Sequence, residues 1–156
     1  MTSEQPTARL AALGVDVPEA PGAAAAYVGH VEVGGLVHTA GQLPLAAGEL
    51  LAAGVVGDDV DVATAQRCAR QCAINVLAQV AASGHDLDAI ARIVKLTVFV
   101  ASAPGFTDQH LVANGASEFL GDVFGDAGRH ARSAVGVAAL PLGSPVEIEA
   151  TIAVGD

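Results

Sequence analysis

The feature that most constrains this chain is a long amphipathic helix followed closely by a β-branched run. From Asp61 to Ser83, the residues Ala65, Cys68, Ala69, Cys72, Val76 and Val80 recur at three- and four-residue steps, so one helix face is apolar. Gly84 stands where such a helix stops. The run RIVKLTVFVAS, residues 92–102, then reads as a strand long enough for the centre of a sheet. A helix with one apolar face must cover something, and a layer of helix on sheet satisfies both segments.

The rest of the chain fits around that pair. A short helix is expected from Pro6 to Leu13, ended by Gly14, and VDVPEAPGAAAA (15–26) reads as an extended lead-in. YVGHVEV and LVHTAGQLPL, joined by Gly34-Gly35, predict a β-hairpin. LLAAGVVG suggests a small strand before Asp58-Asp59. After Pro104, residues Phe106 to Phe124 read as a second long helix carrying Leu111, Ala113, Phe119, Leu120 and Val123. ARSAVGVAALP and SPVEIEATIAV read as two more strands joined by a short turn at Leu142-Gly143-Ser144. The order β-β-(β)-α-β-α-β-β, with hairpins at both ends, predicts an α+β fold with a mixed sheet and two helices on one face. The other sheet face must find a partner, and the Ala- and Val-rich strands point to another subunit.

At 156 residues, one domain spanning 1–156 is expected, with 1–20 as an N-terminal extension. The chain is 52% hydrophobic and 15% charged, yet no run approaches the ~20 apolar residues of a membrane span. The formal net charge of −10 repels a phosphate backbone, and few aromatics are present for base stacking, so neither nucleic acid nor membrane is an expected partner. MTSEQPTARLAALG lacks the basic and apolar regions of a signal peptide, which makes the cytoplasm the expected compartment. Cys68 and Cys72, four apart on the helix, read as buried or half-buried free thiols.

Few groups announce chemistry. His30, His38, His85, His110 and His130 are scattered without an HxH or HExxH spacing, so no metal site is expected. There is no GxGxxG, GxxxxGK[ST] or GxSxG, and no Ser, His and Asp placement suggests a triad. Arg132 is the odd residue: a guanidinium in an apolar strand, with Ala131, Ser133, Ala134 and Gly136 leaving room around it. Its planar fork suits bidentate capture of a carboxylate, although on spacing alone an ion pair with an acidic neighbour also accounts for it. Glu147 and Glu149, two apart, share one strand face, with Val146, Ile148 and Ala150 on the core face. They fit a solvated face or a proton-shuttling carboxylate. Tyr27, the only tyrosine, and Asn114, a mediocre helix former inside a helix, can each line a pocket or serve structure alone. His130, two residues before Arg132, is the histidine placed to border a ligand.

A-R-S-A-V-G-V-A-A-L-P followed by V-E-I-E-A resembles the C-terminal signature of the Rid family, the reactive intermediate deaminases also called YjgF. Y-V-G-H-V-E-V-G-G-L-V-H-T-A-G-Q-L-P resembles that family's first hairpin, and K-L-T-V-F-V its central strand. The resemblance implies a chorismate-mutase-like fold, a homotrimer with ligand clefts between subunits, and hydrolysis of reactive 2-imino acids or enamines to 2-keto acids and ammonia. It implies no metal or organic cofactor. Carried onto this sequence, Arg132 grips the substrate carboxylate, Glu147 helps place the attacking water, Tyr27 lines the pocket, Asn114 lies near it, and Gly41 admits backbone close to the ligand.

The chain departs from that pattern in places. Ala40 stands where serine is usual in S-G-Q, His130 replaces a common proline, and G-R-H-A-R-S-A-V-G-V marks a divergent branch. A small-carboxylate-binding or regulatory trimer without turnover is the alternative expectation, and a structural trimer acting through protein partners a further one. The charge argues against the ribonuclease role attached to some relatives.

Overall fold

The structure, a computed structural model, describes residues 4–23 and 25–155. The first three residues of the expected extension, and Ala24 of the lead-in, lie outside the described residues. Helix α1 spans Pro6–Ala12, strands β1 and β2 span His30–Val33 and Leu36–Thr39, and helix α2 spans Val62–Ala82. Strand β5 covers Ile90–Ala101, helix α3 Gln109–Phe124, strand β6 Ala131–Val137 and strand β7 Val146–Val154. Between β2 and α2 sits a two-strand ribbon of β3 (Leu45–Ala46) and β4 (Glu49–Leu50). The small strand expected over LLAAGVVG is thus mostly replaced by this earlier ribbon, and Val56 keeps only isolated bridges to Val60 and Ser102.

Local chemistry sets α2. The Asp61 carboxylate accepts from the Thr64 amide at 2.7 Å and caps the first turn. The stripe Ala65, Cys68, Ala69, Cys72, Val76 and Val80 is buried along its length. It packs on Ile93, Leu96, Val98 and Val100 of β5 and on Val146, Ile148 and Ile152 of β7, all fully buried. Cys68 and Cys72 are both free and buried, as their spacing suggested. Helix α3 crosses α2 closely: a side chain at Gly115 would collide with the backbone carbonyl of Gln66. Leu10 of α1 joins the same core. The α+β fold, with a mixed sheet and its helices on one face, is as the sequence predicted.

The strand order is β1-β2-β7-β5-β6. β5 and β6 run parallel, with α3 as the crossover a parallel pair requires, and the other neighbours are antiparallel. The last two strands therefore do not form the expected hairpin, because β5 lies between them. The connection after β6 passes through a turn at Pro141–Gly143 and delivers β7 to the far side of β5. A twelve-residue central strand offers two long edges; α3 returns the chain to one, and β7 fills the other.

The face away from the helices is mixed: Val31 and Val33 of β1 and Val135 of β6 stand exposed there, as the Ala- and Val-rich strands suggested, beside a polar patch. The open face carries Lys95, Thr97 and Phe99 of β5 opposite Thr151, Glu149 and Glu147 of β7, with His38 of β2 beside Thr151.

Candidate functional site

Register decides where each candidate side chain points. Arg132 pairs with Leu96, whose side chain is fully buried under the helices, so Arg132 projects to the helix face. Glu147 pairs with Phe99, three residues along β5 from Leu96, and projects to the opposite face. The two residues lie on opposite sides of one sheet and on strands separated by β5. Within a single chain they do not meet.

Arg132 is held by α3. Its Nη1 donates to Asn114 Oδ1 at 2.9 Å and to Ser117 Oγ at 3.0 Å, and its Nη2 donates to the His110 carbonyl at 3.1 Å. Positions 110, 114 and 117 recur at four- and three-residue steps, so they form one polar stripe of the helix. All three acceptors are neutral. Among the described residues no carboxylate lies within 4 Å of the guanidinium, so the ion pair that its sequence context also allowed is not what holds it. A guanidinium has five N–H donors. The three bonds to α3 leave Nε–H and one Nη2–H for other acceptors.

Beside Arg132 a cleft of about 320 Å³ opens at the sheet edge, lined by Ser117, Gly121, Gly128, Arg129, His130 and Arg132. His130 borders it, as expected. Its Nδ1 donates to the Gly128 carbonyl at 2.6 Å, and its Nε2 lies 2.9 Å from Ser117 Oγ. Burial, with the Arg132 charge contributing, pushes the His130 pKa below its usual range, against the Gly128 hydrogen bond. Ser117 was not among the sequence candidates. The signal lay in the helical spacing His110, Asn114, Ser117, a polar stripe facing the arginine strand.

The second cluster sits on the open face. Gln42 continues beside β7, exchanging backbone hydrogen bonds with Ile148 at 2.8 and 3.0 Å, and so lays Gly41 against Glu147. A side chain at position 41 would collide with Glu147 Oε1. The strap holding Gly41 is tied to α2 from below: Asn75 Nδ2 donates to the carbonyls of Leu43 and Leu45 at 2.9 and 3.0 Å. Gln79 reaches Gln42 and His30 from the same helix. Gln42, Asn75 and Gln79 are each at least 96% buried, so these amides are structural necessities rather than surface decoration. Burial first, and Glu149 second, raise the Glu147 carboxyl above its usual range.

Tyr27 joins neither cluster. It lies in a bend before β1, 52% exposed, and the strand expected to begin there begins at His30. That places it near the sheet edge opposite β6, roughly 19 Å away at the usual spacing of neighbouring strands. Among the described residues no three His, Cys, Asp or Glu side chains gather to hold a metal ion, and no helix is long and apolar enough to cross a membrane.

Comparison with known proteins puts this geometry in context. A family model described as Endoribonuclease L-PSP matches residues 17–154. The chain belongs to the Rid (YjgF) family. Within that family it is 44% identical over 153 residues to Protein TCP17 of Trypanosoma cruzi, covering 97% of this chain and 96% of that protein. The crystal structure of Atu1372 from Agrobacterium tumefaciens, of unknown function, is 49% identical with a TM-score of 0.89, covering 96% of this chain and 92% of that one. E. coli TdcF with bound serine superimposes less closely, with a TM-score of 0.64 at 34% identity, over 88% of this chain and 94% of that one. The Rid fold is thus shared, and this chain lies nearer in shape to Atu1372 than to TdcF.

Proposed function

We propose that this Rid protein hydrolyses reactive 2-imino acids and enamines to 2-keto acids and ammonia in a cleft completed by a second copy of the chain. The observation that carries the reading is Arg132, fixed on α3 by neutral acceptors alone, with an N–H pair left to receive a carboxylate. Bidentate capture of the substrate carboxylate by that pair orients the neighbouring C=N carbon. That carbon is already electrophilic, so water need only be placed and relieved of a proton. Glu147, whose carboxyl burial holds above its ordinary pKa, suits that work. Water adds to the imine carbon as Glu147 takes its proton and returns it to nitrogen, giving a carbinolamine. The hydroxyl proton then passes through the same carboxylate to the amine, the C=O bond forms, and the C–N bond breaks as ammonia leaves.

Arg132 and Glu147 occupy opposite faces of one protomer, so uniting them requires the Arg132 edge of one copy to meet the Glu147 face of the next. A homotrimer closed by such heterologous contacts does this three times. Gly41 gives backbone access beside Glu147, and Tyr27, exposed near the opposite sheet edge, is free to line a neighbour's cleft. Serine bound to TdcF is a small amino acid carrying a carboxylate, consistent with this ligand class. Against a ribonuclease reading stands the net charge of −10. Two buried, unpaired thiols fit a reducing, cytoplasmic setting.

The test is to generate 2-aminoacrylate or another amino-acid-derived imine in situ and follow keto-acid release. Arg132→Ala is expected to lose about 100-fold or more in kcat/KM, the scale of two hydrogen bonds to a charged group. Equal performance by wild type and variant on every imine tried would end the deaminase reading. Keto-acid binding that depends on Arg132 without turnover would support a carboxylate-binding module in its place.

A further inference from the structure

We propose that Ser117 and His130 are positioning residues, forming a one-way hydrogen-bond chain from Arg132 through Ser117 and His130 to the Gly128 carbonyl that aims the guanidinium at its ligand. The inference rests on the reading of Arg132 as a carboxylate anchor.

The direction of the chain follows from what each atom can do. The Gly128 carbonyl can only accept, so the 2.6 Å contact places a proton on His130 Nδ1. In the neutral ring Nε2 is then an acceptor, and the 2.9 Å contact is a bond donated by the Ser117 hydroxyl. With its proton committed to His130, Ser117 presents lone pairs to Arg132 Nη1 at 3.0 Å. Burial lowers the His130 pKa, in the direction of the neutral ring that this chain requires. Protonation would turn Nε2 into a donor, strand the serine proton and set a second cation beside Arg132. The far end is anchored as well: a side chain at Gly128 would collide with the Leu120 carbonyl, so this backbone seats tightly on the end of α3.

Without the imidazole, a helical serine hydroxyl turns to its own helix carbonyl four residues back and no longer holds this orientation. A residue at position 130 with no side-chain acceptor would leave the Ser117 proton without this partner. The chain is therefore a device of sequences that carry histidine there. Its effect is to hold Nη1 against α3 and so keep the Nε edge turned toward the ligand.

The experiment compares wild type, Ser117→Ala, Ser117→Thr and His130→Ala in two measurements, KM and kcat on an imine made in situ and the Kd of pyruvate by calorimetry. Ser117→Ala and His130→Ala are expected to raise KM and the pyruvate Kd about tenfold, the scale of one charge-assisted hydrogen bond, with kcat little changed. Ser117→Thr, which keeps the hydroxyl, is expected to restore both. Unchanged KM and Kd would overturn the positioning role, as would a fall in kcat at constant KM, which would put Ser117 on the reacting atoms. Nitrogen-15 spectra of wild-type His130 give a check that needs no variant to fold: the Nδ1–H tautomer at neutral pH supports the chain, and the Nε2–H tautomer or a protonated ring overturns it. If wild type turns over no imine yet binds pyruvate in a Ser117- and His130-dependent way, the deaminase reading falls and the positioning chain stands. Turnover dependent on Arg132 alone gives the reverse.

Discussion

At the scale of single residues, the site is a contrast between one cation held by neutral groups and one carboxylate denied the solvation it prefers. Glu147 sits half-buried over Gly41, and its proton is held more tightly folded than unfolded. A group whose folded pKa is raised adds stability below its unfolded pKa, and that stability is lost as pH rises through the folded value. Glu147→Gln, neutral at every pH, is therefore expected to melt at a higher temperature than wild type at pH 7.5, with the advantage gone by about pH 4, near the ordinary glutamate pKa. Thermal scans at the two values check it, and an advantage independent of pH would contradict the assigned cause. Arg132 drew attention as a guanidinium in an apolar strand, while Glu147 and Asn114 stood out through the family resemblance and not through their own spacing. Ser117 did not stand out, because a serine inside a helix is ordinary until the strand facing it is known.

At the scale of elements, helices were more legible than strand neighbours. Asp61 and Gly84 bracket α2, and its three- and four-residue periodicity is a local property that the chain carries wherever it folds. α3 starts at Gln109, three residues later than its apolar pattern suggested, and Phe106 packs beside Gly57 outside the helix. Which edge of β5 the last strand takes is not a local property. Leu142-Gly143 has the look of a tight hairpin turn, with Leu142 at φ 60°, yet it serves a crossover past the end of β5. The two glycines inside α3 separate packing from propensity. Gly115→Ala is expected to destabilise by about 1–3 kcal/mol, because the new methyl meets the Gln66 backbone and overpacks the α2–α3 crossing. Gly121→Ala meets nothing within 4 Å and is expected to stabilise by up to about 1 kcal/mol, the helix preference for alanine. Chemical denaturation of both variants checks the pair; equal shifts would contradict the close crossing.

At the scale of the whole molecule, the division of candidate residues between two faces makes assembly part of the proposed chemistry. The sequence suggested a second copy from its apolar strands, and Val31, Val33 and Val135 do stand exposed on the face the helices leave open. The same face also offers Lys95, Glu147, Glu149 and His38, groups suited to specific polar contacts. If each cleft takes Arg132 from one copy and Glu147 from the next, two inactive variants can complement one another. Co-expression of Arg132→Ala with Glu147→Gln chains at equal levels is expected to restore about a quarter of wild-type activity, the fraction of randomly formed clefts in a closed ring that inherit both native residues. Purified mixed assemblies with no recovered turnover would argue that each chain carries a complete site.

The buried amides beneath the Gly41 strap have a thermodynamic consequence. Asn75 and Gln79 fasten that backbone to α2 as the protein folds, so the conformational entropy of the strap is lost then and not when a ligand arrives. Under the proposed function, a small molecule entering beside Glu147 would meet a wall already at rest. The free energy of its contacts goes to holding the ligand, with little diverted to ordering the loop, and even a ligand of a few heavy atoms can be gripped by so plain a surface.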